Sequence, residues 1–276
     1  MAMLELENLR VSFPSADGPV DVVKGLSLSL GRERLGIVGE SGSGKSLTGR
    51  AILKLINRPG IMRADRLAFD GIDLLAQSER QMRRLRGARL SMVMQDPKFS
   101  LHPVMRVGDQ IAEALRCHER LRRRDVKARV ISMLEKVRIN EPEAVSRLYP
   151  HQISGGMGQR VMIAMMLIPK PDLLIADEPT SALDVSVQAT VLDLIDSLVK
   201  DHGMGLMLIS HDLNLVARYC DRIMVMNSGE VVEECAAAQL QYARHPYTQG
   251  LLAAVPQMAE ERAELPVLDR SRWSGT

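Results

Sequence analysis

The stretch "LGIVGESGSGKSLTGRAILKLI", Leu35 to Ile56, joins an unbroken apolar run to a helix-spaced segment through a loop carrying Gly39, Gly42 and Gly44. A short continuous apolar run suits a strand covered on both faces, and the spacing that follows suits an amphipathic helix. "GESGSGKS" between them fits G-x-x-x-x-G-K-[ST], in the strand–loop–helix context that this motif requires. Its glycines let main-chain N–H groups converge on a phosphate, and the helix that follows turns its positive end toward the same point. Gly39, Glu40, Ser41, Gly42, Ser43, Gly44, Lys45, Ser46 and Leu47 are therefore the first nucleotide-binding candidates. Lys45 is placed to reach the outer phosphates and Ser46 to hold Mg²⁺ by its hydroxyl.

The rest of the chain reads as an α/β core. "LELENLRVSF" and "LSLSL" alternate apolar and polar residues and predict an antiparallel patch at the start, with a turn between them. From about 107 to 149 the apolar spacing turns helical, which predicts an inserted helical subdomain at about 97–165. "DLLIADEP" and "GLMLISHD" predict buried strands on either side of a helix stopped by Gly203, and "RIMVMNSGEVVEE" a hairpin turning at Asn227, Ser228 and Gly229. Strands alternating with helices indicate a largely parallel sheet. We expect one domain over 1–256, with a C-terminal segment at about 236–256 and a tail at 257–276.

With 276 residues, 46% of them hydrophobic, the chain is long enough to bury a sizeable core. A net charge of +2 is too mild for a dedicated duplex reader, and "RLRRRDVKAR" and "MRRLRGAR", without interleaved aromatics, read as solvated helix faces and edges. Cys117, Cys220 and Cys235 form no CxxC pair, so neither a disulfide framework nor a zinc site is indicated, and a reducing cytosol fits. No stretch approaches the roughly eighteen apolar residues of a bilayer span. The start "MAMLELENLR" has acids where a secretory signal is basic.

Other residues gain meaning beside the phosphate loop. Asp177 and Glu178 emerge from an apolar strand at the carboxyl edge of the sheet, where ligands of such folds bind. Asp177 suits the magnesium shell, and Glu178 suits activation of a water that attacks the terminal phosphate. His211 ends another predicted strand and Gln95 follows a third. The histidine is suited to the outer phosphate and the attacking water, and the glutamine amide to Mg²⁺ or that water. A second glycine run, "ISGGMGQ", stands ahead of the apolar helix "VMIAMMLI", a helix start rich in exposed N–H groups.

In this order the motifs resemble those of the nucleotide-binding subunits of ABC transporters, over nearly the whole chain. "GESGSGKS" is similar to the Walker A motif, Gln95 to the Q-loop, "ISGGMGQ" to the signature, "LLIADEP" to Walker B, "SALD" to the D-loop and His211 to the switch histidine. The resemblance implies a P-loop, RecA-like ATPase core with an N-terminal antiparallel β subdomain and an inserted helical subdomain. It implies ATP and Mg²⁺ as ligands, with Lys45, Gln95, Glu178 and His211 in catalysis and Ser46, Gln95 and Asp177 at the metal. It also implies a head-to-tail pair, in which Ser154, Gly155, Gly156 and Gln159 of one subunit close over the nucleotide held by the other, with Asp184 along the seam. Phe13 is similar in placement to the family's adenine-stacking aromatic, although packing beside Leu9 and Val11 explains it equally well. Gly158 departs from the pattern: relatives generally place a basic residue there, which bears on the strength of closure.

"RHPYTQGLLAAVP", "QDPKFSLHPVMRVGDQI" and "DEPTSALDVSVQATVLDLI" resemble the oligopeptide, dipeptide and nickel importer branch. That branch implies two membrane-spanning permeases, an extracytoplasmic solute-binding protein, a second ATPase subunit, identical or homologous, and a peripheral position on the cytoplasmic face of the membrane. "DPKFSLHP" would meet the permeases. Longer peptide-transporting relatives carry a cysteine-rich segment that this chain lacks, so peptides and nickel or metal chelates both remain as cargo. A soluble ABC-type ATPase acting on nucleic acid or ribosomes is the alternative, although such proteins usually contain a long coiled coil or two cassettes.

Overall fold

The structure of the chain, a computed structural model, describes residues 2–94, 101–181 and 185–254, the side chains of 185 and 186 excepted. Gln95 and Asp184, and the tail at 257–276, lie outside the described residues. In chain order the elements are β1 (Leu4–Ser15), β2 (Gly18–Leu30), β3 (Arg34–Val38), α1 (Lys45–Ile52), β4 (Ile61–Arg63), β5 (Arg66–Phe69), β6 (Ile72–Asp73), α2 (Glu79–Leu85) and β7 (Leu90–Val93). There follow α3 (Val107–Arg116), α4 (Arg123–Lys136), α5 (Pro142–Val145), α6 (Gly155–Leu167), β8 (Leu173–Asp177) and α7 (Val185–His202). β9 (Gly205–Ser210), α8 (Leu213–Tyr219), β10 (Arg222–Asn227), β11 (Glu230–Ala236) and α9 (Pro246–Ala254) complete the chain. These divide into two compact units, one made of 1–3 with 68–207 and the other of 4–67 with 208–276.

The second unit contains the phosphate loop. β1 pairs antiparallel with β2 from Leu4↔Leu30 to Ser15↔Gly18, so only Ala16 and Asp17 lie in the turn. The turn expected between "LELENLRVSF" and "LSLSL" is shorter than the segment that separates them, because cross-strand pairing carries β2 back to Gly18. In β1 the buried face runs Leu4, Leu6, Leu9, Val11, which skips a residue. A register shift between Leu6 and Leu9, with Asn8 at φ 50, corrects the alternation so that Asn8 stays off the buried face. β3 pairs parallel with β10, and β10 antiparallel with β11, which makes this sheet mixed. The predicted hairpin is present: Asn227 pairs with Glu230, and Ser228 (φ 50) and Gly229 (φ 91) supply the two positive φ values of a type I′ turn.

Helix α8 sits directly on β3. A Cβ on Gly36 would lie 1.8 Å from Val216 Cγ1 and 3.2 Å from Cys220 Sγ. Gly36→Ala is therefore expected to destabilise the chain by about 1–3 kcal/mol, the usual cost of overpacking, measurable by denaturant unfolding.

The first unit has β7 parallel to β8, from Leu90↔Leu173 to Val93↔Ala176. Every residue of both strands is buried, as in a sheet covered on both faces. Above about residue 101 the described chain is helical up to Leu167, in the stretch read as the inserted subdomain. α3 buries Val107, Ile111, Ala112 and Leu115, and α4 buries Val126, Val130, Met133 and Leu134, the helical spacing read from the sequence. Gln110, 3% exposed, fixes the turn ahead of α3: its Nε2 donates to His102 O (3.0 Å) and Met105 O (2.9 Å), and its Oε1 accepts from His102 N (2.8 Å).

Three of the four arginines of "MRRLRGAR" are paired within the chain. Arg83 and Arg86 pair with Glu79, and Arg89 bridges Asp172 (2.7 Å) and Asp70 (2.8 Å) while lying over the Phe69 ring. The solvated-face reading needs this refinement for Arg89, which is one-third exposed and joins three segments.

Candidate functional site

The phosphate loop is shaped by its own backbone. A Cβ on Gly39 would lie 2.1 Å from Met226 O, and one on Gly44, whose φ is 96°, would lie 2.9 Å from Val22 O. Larger residues there would push the loop away from β10 and β2. Gly44 is also the N-cap of α1, so no side chain caps that helix, and its first turn holds no acidic residue. The N-terminal N–H groups of α1 are thus kept for an external anion, the arrangement that binds phosphate.

Lys45 is 5% exposed, and its ammonium is folded into the loop. Nζ donates to Gly39 O (2.7 Å), Glu40 O (2.7 Å) and Ser43 Oγ (3.4 Å), while Ser43 N–H donates to Glu40 O (3.2 Å). A buried ammonium drawn onto the loop's own carbonyls is placed to meet an anion that enters the loop. Ser46 and Leu47 follow on the first turn, half-buried, and Ser41 is exposed at the loop's outer edge. Thr48, fully buried, anchors the helix through Oγ1 to Gly44 O (3.1 Å).

Also in this unit, Phe13 is half-buried near the end of β1, and a Cβ on Gly60 would lie 2.7 Å from its ring. The ring rests on that glycine and lines a shallow hollow of about 200 Å³ with Pro14, Pro19, Pro59 and Ile61. Packing and a surface for a flat ligand are combined at this residue. His211 is exposed just past β9. Its neighbour Asp212 caps α8, with Oδ1 accepting from Asn214 N (2.8 Å) and Leu215 N (3.3 Å), which fixes the backbone on the far side of His211.

The other unit holds the carboxylates and the second glycine run. Asp177, 3% exposed, is the last residue of β8. Glu178 follows with φ 45, a left-handed conformation that a side chain disfavours, and Ser181 closes the turn by donating N–H (3.3 Å) and Oγ–H (3.2 Å) to Glu178 O. Such backbone costs on the order of 1–3 kcal/mol and gathers at functional sites. Ser154 is the N-cap of α6 and accepts from Met157 N (3.3 Å). Among the described residues, a Cβ on Gly155 would meet nothing within 4 Å, and one on Gly156 only Val187 Cγ1 at 3.5 Å, so packing against those residues does not require glycine at either position.

Gln159 requires a correction. Expected at the nucleotide, it is 1% exposed, and its Nε2 donates to Pro179 O. It ties the signature helix to the turn after Asp177 and Glu178. The apolar helix around it, with Val161, Met162 and Ile163 all buried, turns this position inward. Gly158 is likewise buried on α6, so this position faces the chain's interior.

One contact was not legible in the motifs. Tyr247, 2% exposed in the C-terminal α9, accepts the N–H of Glu40 on its hydroxyl oxygen (3.1 Å). The branch-type "HPYTQ" pattern marked this segment without indicating that it reaches the phosphate loop.

A glycine loop capping a helix, carboxylates leaving a buried strand and a second open helix start are the elements of an ATP-binding cassette. The ABC transporter family model matches residues 23–181, more than half of the chain, and the chain belongs to that family. It is 48% identical over 282 residues to the glutathione import ATP-binding protein GsiA of Pectobacterium atrosepticum, covering 98% of this chain and 45% of that protein. The protein of the same name from Escherichia coli O157:H7 is 47% identical over 264 residues, covering 93% of this chain and 42% of the relative. The chain thus spans less than half the length of these curated relatives. Among solved structures, the dimeric MJ0796, a bacterial ABC transporter cassette, matches with a TM-score of 0.76 at 26% identity, over 85% of this chain and 99% of the other. CbiO1 from Clostridium perfringens, part of the transporter complex CbiONQ, matches with a TM-score of 0.74 at 26% identity, over 87% and 91%. The family and the α/β cassette fold read from the sequence are borne out.

Proposed function

We propose that the chain is the ATP-binding and ATP-hydrolysing subunit of an importer of peptide-class solutes. The observation that carries this is the start of α1, capped by a glycine alone, with the buried ammonium of Lys45 folded onto the carbonyls of the glycine loop beside it. The relatives named for import of glutathione, a tripeptide, favour the peptide branch over nickel and over an ATPase acting on nucleic acid. No helix among the described residues is long and apolar enough to cross a membrane, which accords with a peripheral subunit on the cytoplasmic face, working beside two permeases and an extracytoplasmic binding protein.

Lys45 and the N–H groups from Gly42 to Leu47 hold the phosphates, and Phe13 offers its ring to the base. Among the described residues no group of three or more His, Cys, Asp or Glu could form a metal cage by itself. That suits Mg²⁺, which takes one or two protein oxygens and otherwise phosphate and water. Ser46 and Asp177, with Gln95, are the residues to hold it, and when bound it neutralises charge on the phosphate oxygens. Glu178 takes the proton from the attacking water, and His211 holds that water and the outer phosphate.

Ser154, Gly155 and Gly156 close over the nucleotide of a second, identical or homologous subunit, with Asp184 along the seam. One helix start contributes roughly 0.3–1 kcal/mol toward an anion, up to about 2 when partly buried. Reversing an open-to-closed population needs about 5.5 kcal/mol. Two nucleotides must therefore act together, so that ATP closes the pair and hydrolysis releases it.

Lys45→Ala tests the nucleotide site. Loss of a charge-assisted contact of about 1.5–3 kcal/mol is expected to weaken ATP binding roughly 10- to 150-fold, read by titration calorimetry. Unchanged affinity would remove the loop from phosphate binding.

A further inference from the structure

The C-terminal segment is tied to the phosphate loop by a hydrogen bond, from Glu40 N to Tyr247 Oη, that lies within one compact unit. The loop leaves β3 at Val38, and Glu40 is its second residue. Both sides of the Glu40 backbone are bonded. Its carbonyl accepts from Lys45 Nζ (2.7 Å) and Ser43 N (3.2 Å), and its N–H donates to Tyr247 Oη (3.1 Å). The acceptor comes from a residue 207 positions away in sequence, at 2% exposure, so water does not readily replace it.

Tyr247 is itself held firmly. Glu233 on β11 accepts the N–H of Arg244 (2.6 Å) and of His245 (3.3 Å). Burial pushes the Glu233 carboxyl up, yet these two N–H groups and the nearby His245 hold it below the ordinary carboxylate range. His245 Nδ1 in turn accepts from Tyr247 N (3.2 Å), and Gln249 Nε2 donates to Ala243 O (3.0 Å). A chain of bonds thus runs from β11 through the start of α9 to the peptide that opens the loop.

We propose that Tyr247 is a positioning residue for nucleotide binding: its hydroxyl fixes the Gly39–Glu40 peptide, and so presets the loop whose later N–H groups meet the phosphates. The inference rests on the nucleotide-binding reading above. Tyr247 makes no contact with the ligand. It lowers the cost of ordering the loop, which a ligand would otherwise have to supply from its own binding energy. The segment 236–254 thereby acts as a strut on the ATP site, and loosening it lowers affinity for phosphate-bearing nucleotides.

The test compares the full chain with Tyr247→Phe, which keeps the buried ring and removes one oxygen. Removing one hydrogen bond is expected to raise the Kd for both ATP and ADP roughly three- to tenfold. The rate at saturating ATP should stay within about twofold and the far-UV circular dichroism should not change, because binding alone is weakened. Glu233→Gln, which weakens the carboxylate anchoring the segment, is expected to shift Kd in the same direction without touching the loop. A Tyr247→Phe protein with a lower melting temperature and unchanged Kd would show a purely structural residue and overturn the proposal. So would a fall in the saturated rate with no change in Kd. A wild-type chain that binds neither ATP nor ADP would instead remove the nucleotide-binding reading itself.

Discussion

Glu178→Gln is expected to bind ATP as tightly as the unaltered chain and to turn it over about 10²–10⁴-fold more slowly, the range contributed by a general base. The amide keeps the shape of the side chain and cannot accept the proton of the attacking water. In the proposed cycle hydrolysis releases the closed pair, so this variant should accumulate with ATP as a species of twice the monomer mass, visible by size-exclusion chromatography with light scattering. The left-handed backbone at Glu178, φ 45, is an argument that the position is held for chemistry and not for packing, because glycine or asparagine would tolerate it more readily. Hydrolysis at the unaltered rate would take Glu178 out of the catalytic role.

Gly155→Leu is expected to fold normally, to bind ATP normally and to hydrolyse it about 10²-fold more slowly, the loss that a misplacement of about 1 Å at a reacting centre produces. A Cβ at Gly155 meets nothing within 4 Å among the described residues, so the fold is expected to tolerate the change. In the proposed pair the added atoms would occupy the space through which the opposing nucleotide approaches. Ser154 is a less clean position for this test, since its hydroxyl also caps its own helix through Met157 N. Mixing Gly155→Leu with Lys45→Ala separates the two roles. In each variant alone both sites are impaired, whereas a mixed pair contains one site with an intact loop from one chain and an intact signature from the other. Recovery of hydrolysis on mixing is the expected result, and its complete absence would argue against a site shared across subunits.

The parts of this protein that sequence made legible are those whose chemistry is local. The phosphate loop is one continuous stretch, and each of its glycines answers to backbone geometry within a few residues. The hairpin at Asn227–Gly229 was equally readable, because a two-residue turn with positive φ leaves its mark on the residues that form it. β2 was harder: its first half, Gly18 to Gly25, carries Val20, Val22 and Val23 between glycines and a proline that signal a turn, and it is a strand because β1 supplies the partner. Gln159 was misread for a related reason. Its place in the motif suggested an outward role, while the buried face of α6 and the carbonyl of Pro179 decide where its amide goes. Tyr247 and Glu40 are 207 residues apart, and no spacing in the sequence announces their bond. Phe13 stayed between two readings because a ring resting on Gly60 beside a hollow satisfies both.

The account stands or falls on where the second glycine run points when ATP is bound. An experimental structure of Glu178→Gln with ATP and Mg²⁺ measures this directly. The account predicts a two-chain assembly in which Ser154 Oγ and the N–H groups of Gly155 and Gly156 lie within hydrogen-bonding distance of the triphosphate carried by the opposing loop. The same three residues facing bulk water, with each nucleotide enclosed by a single chain, would contradict it.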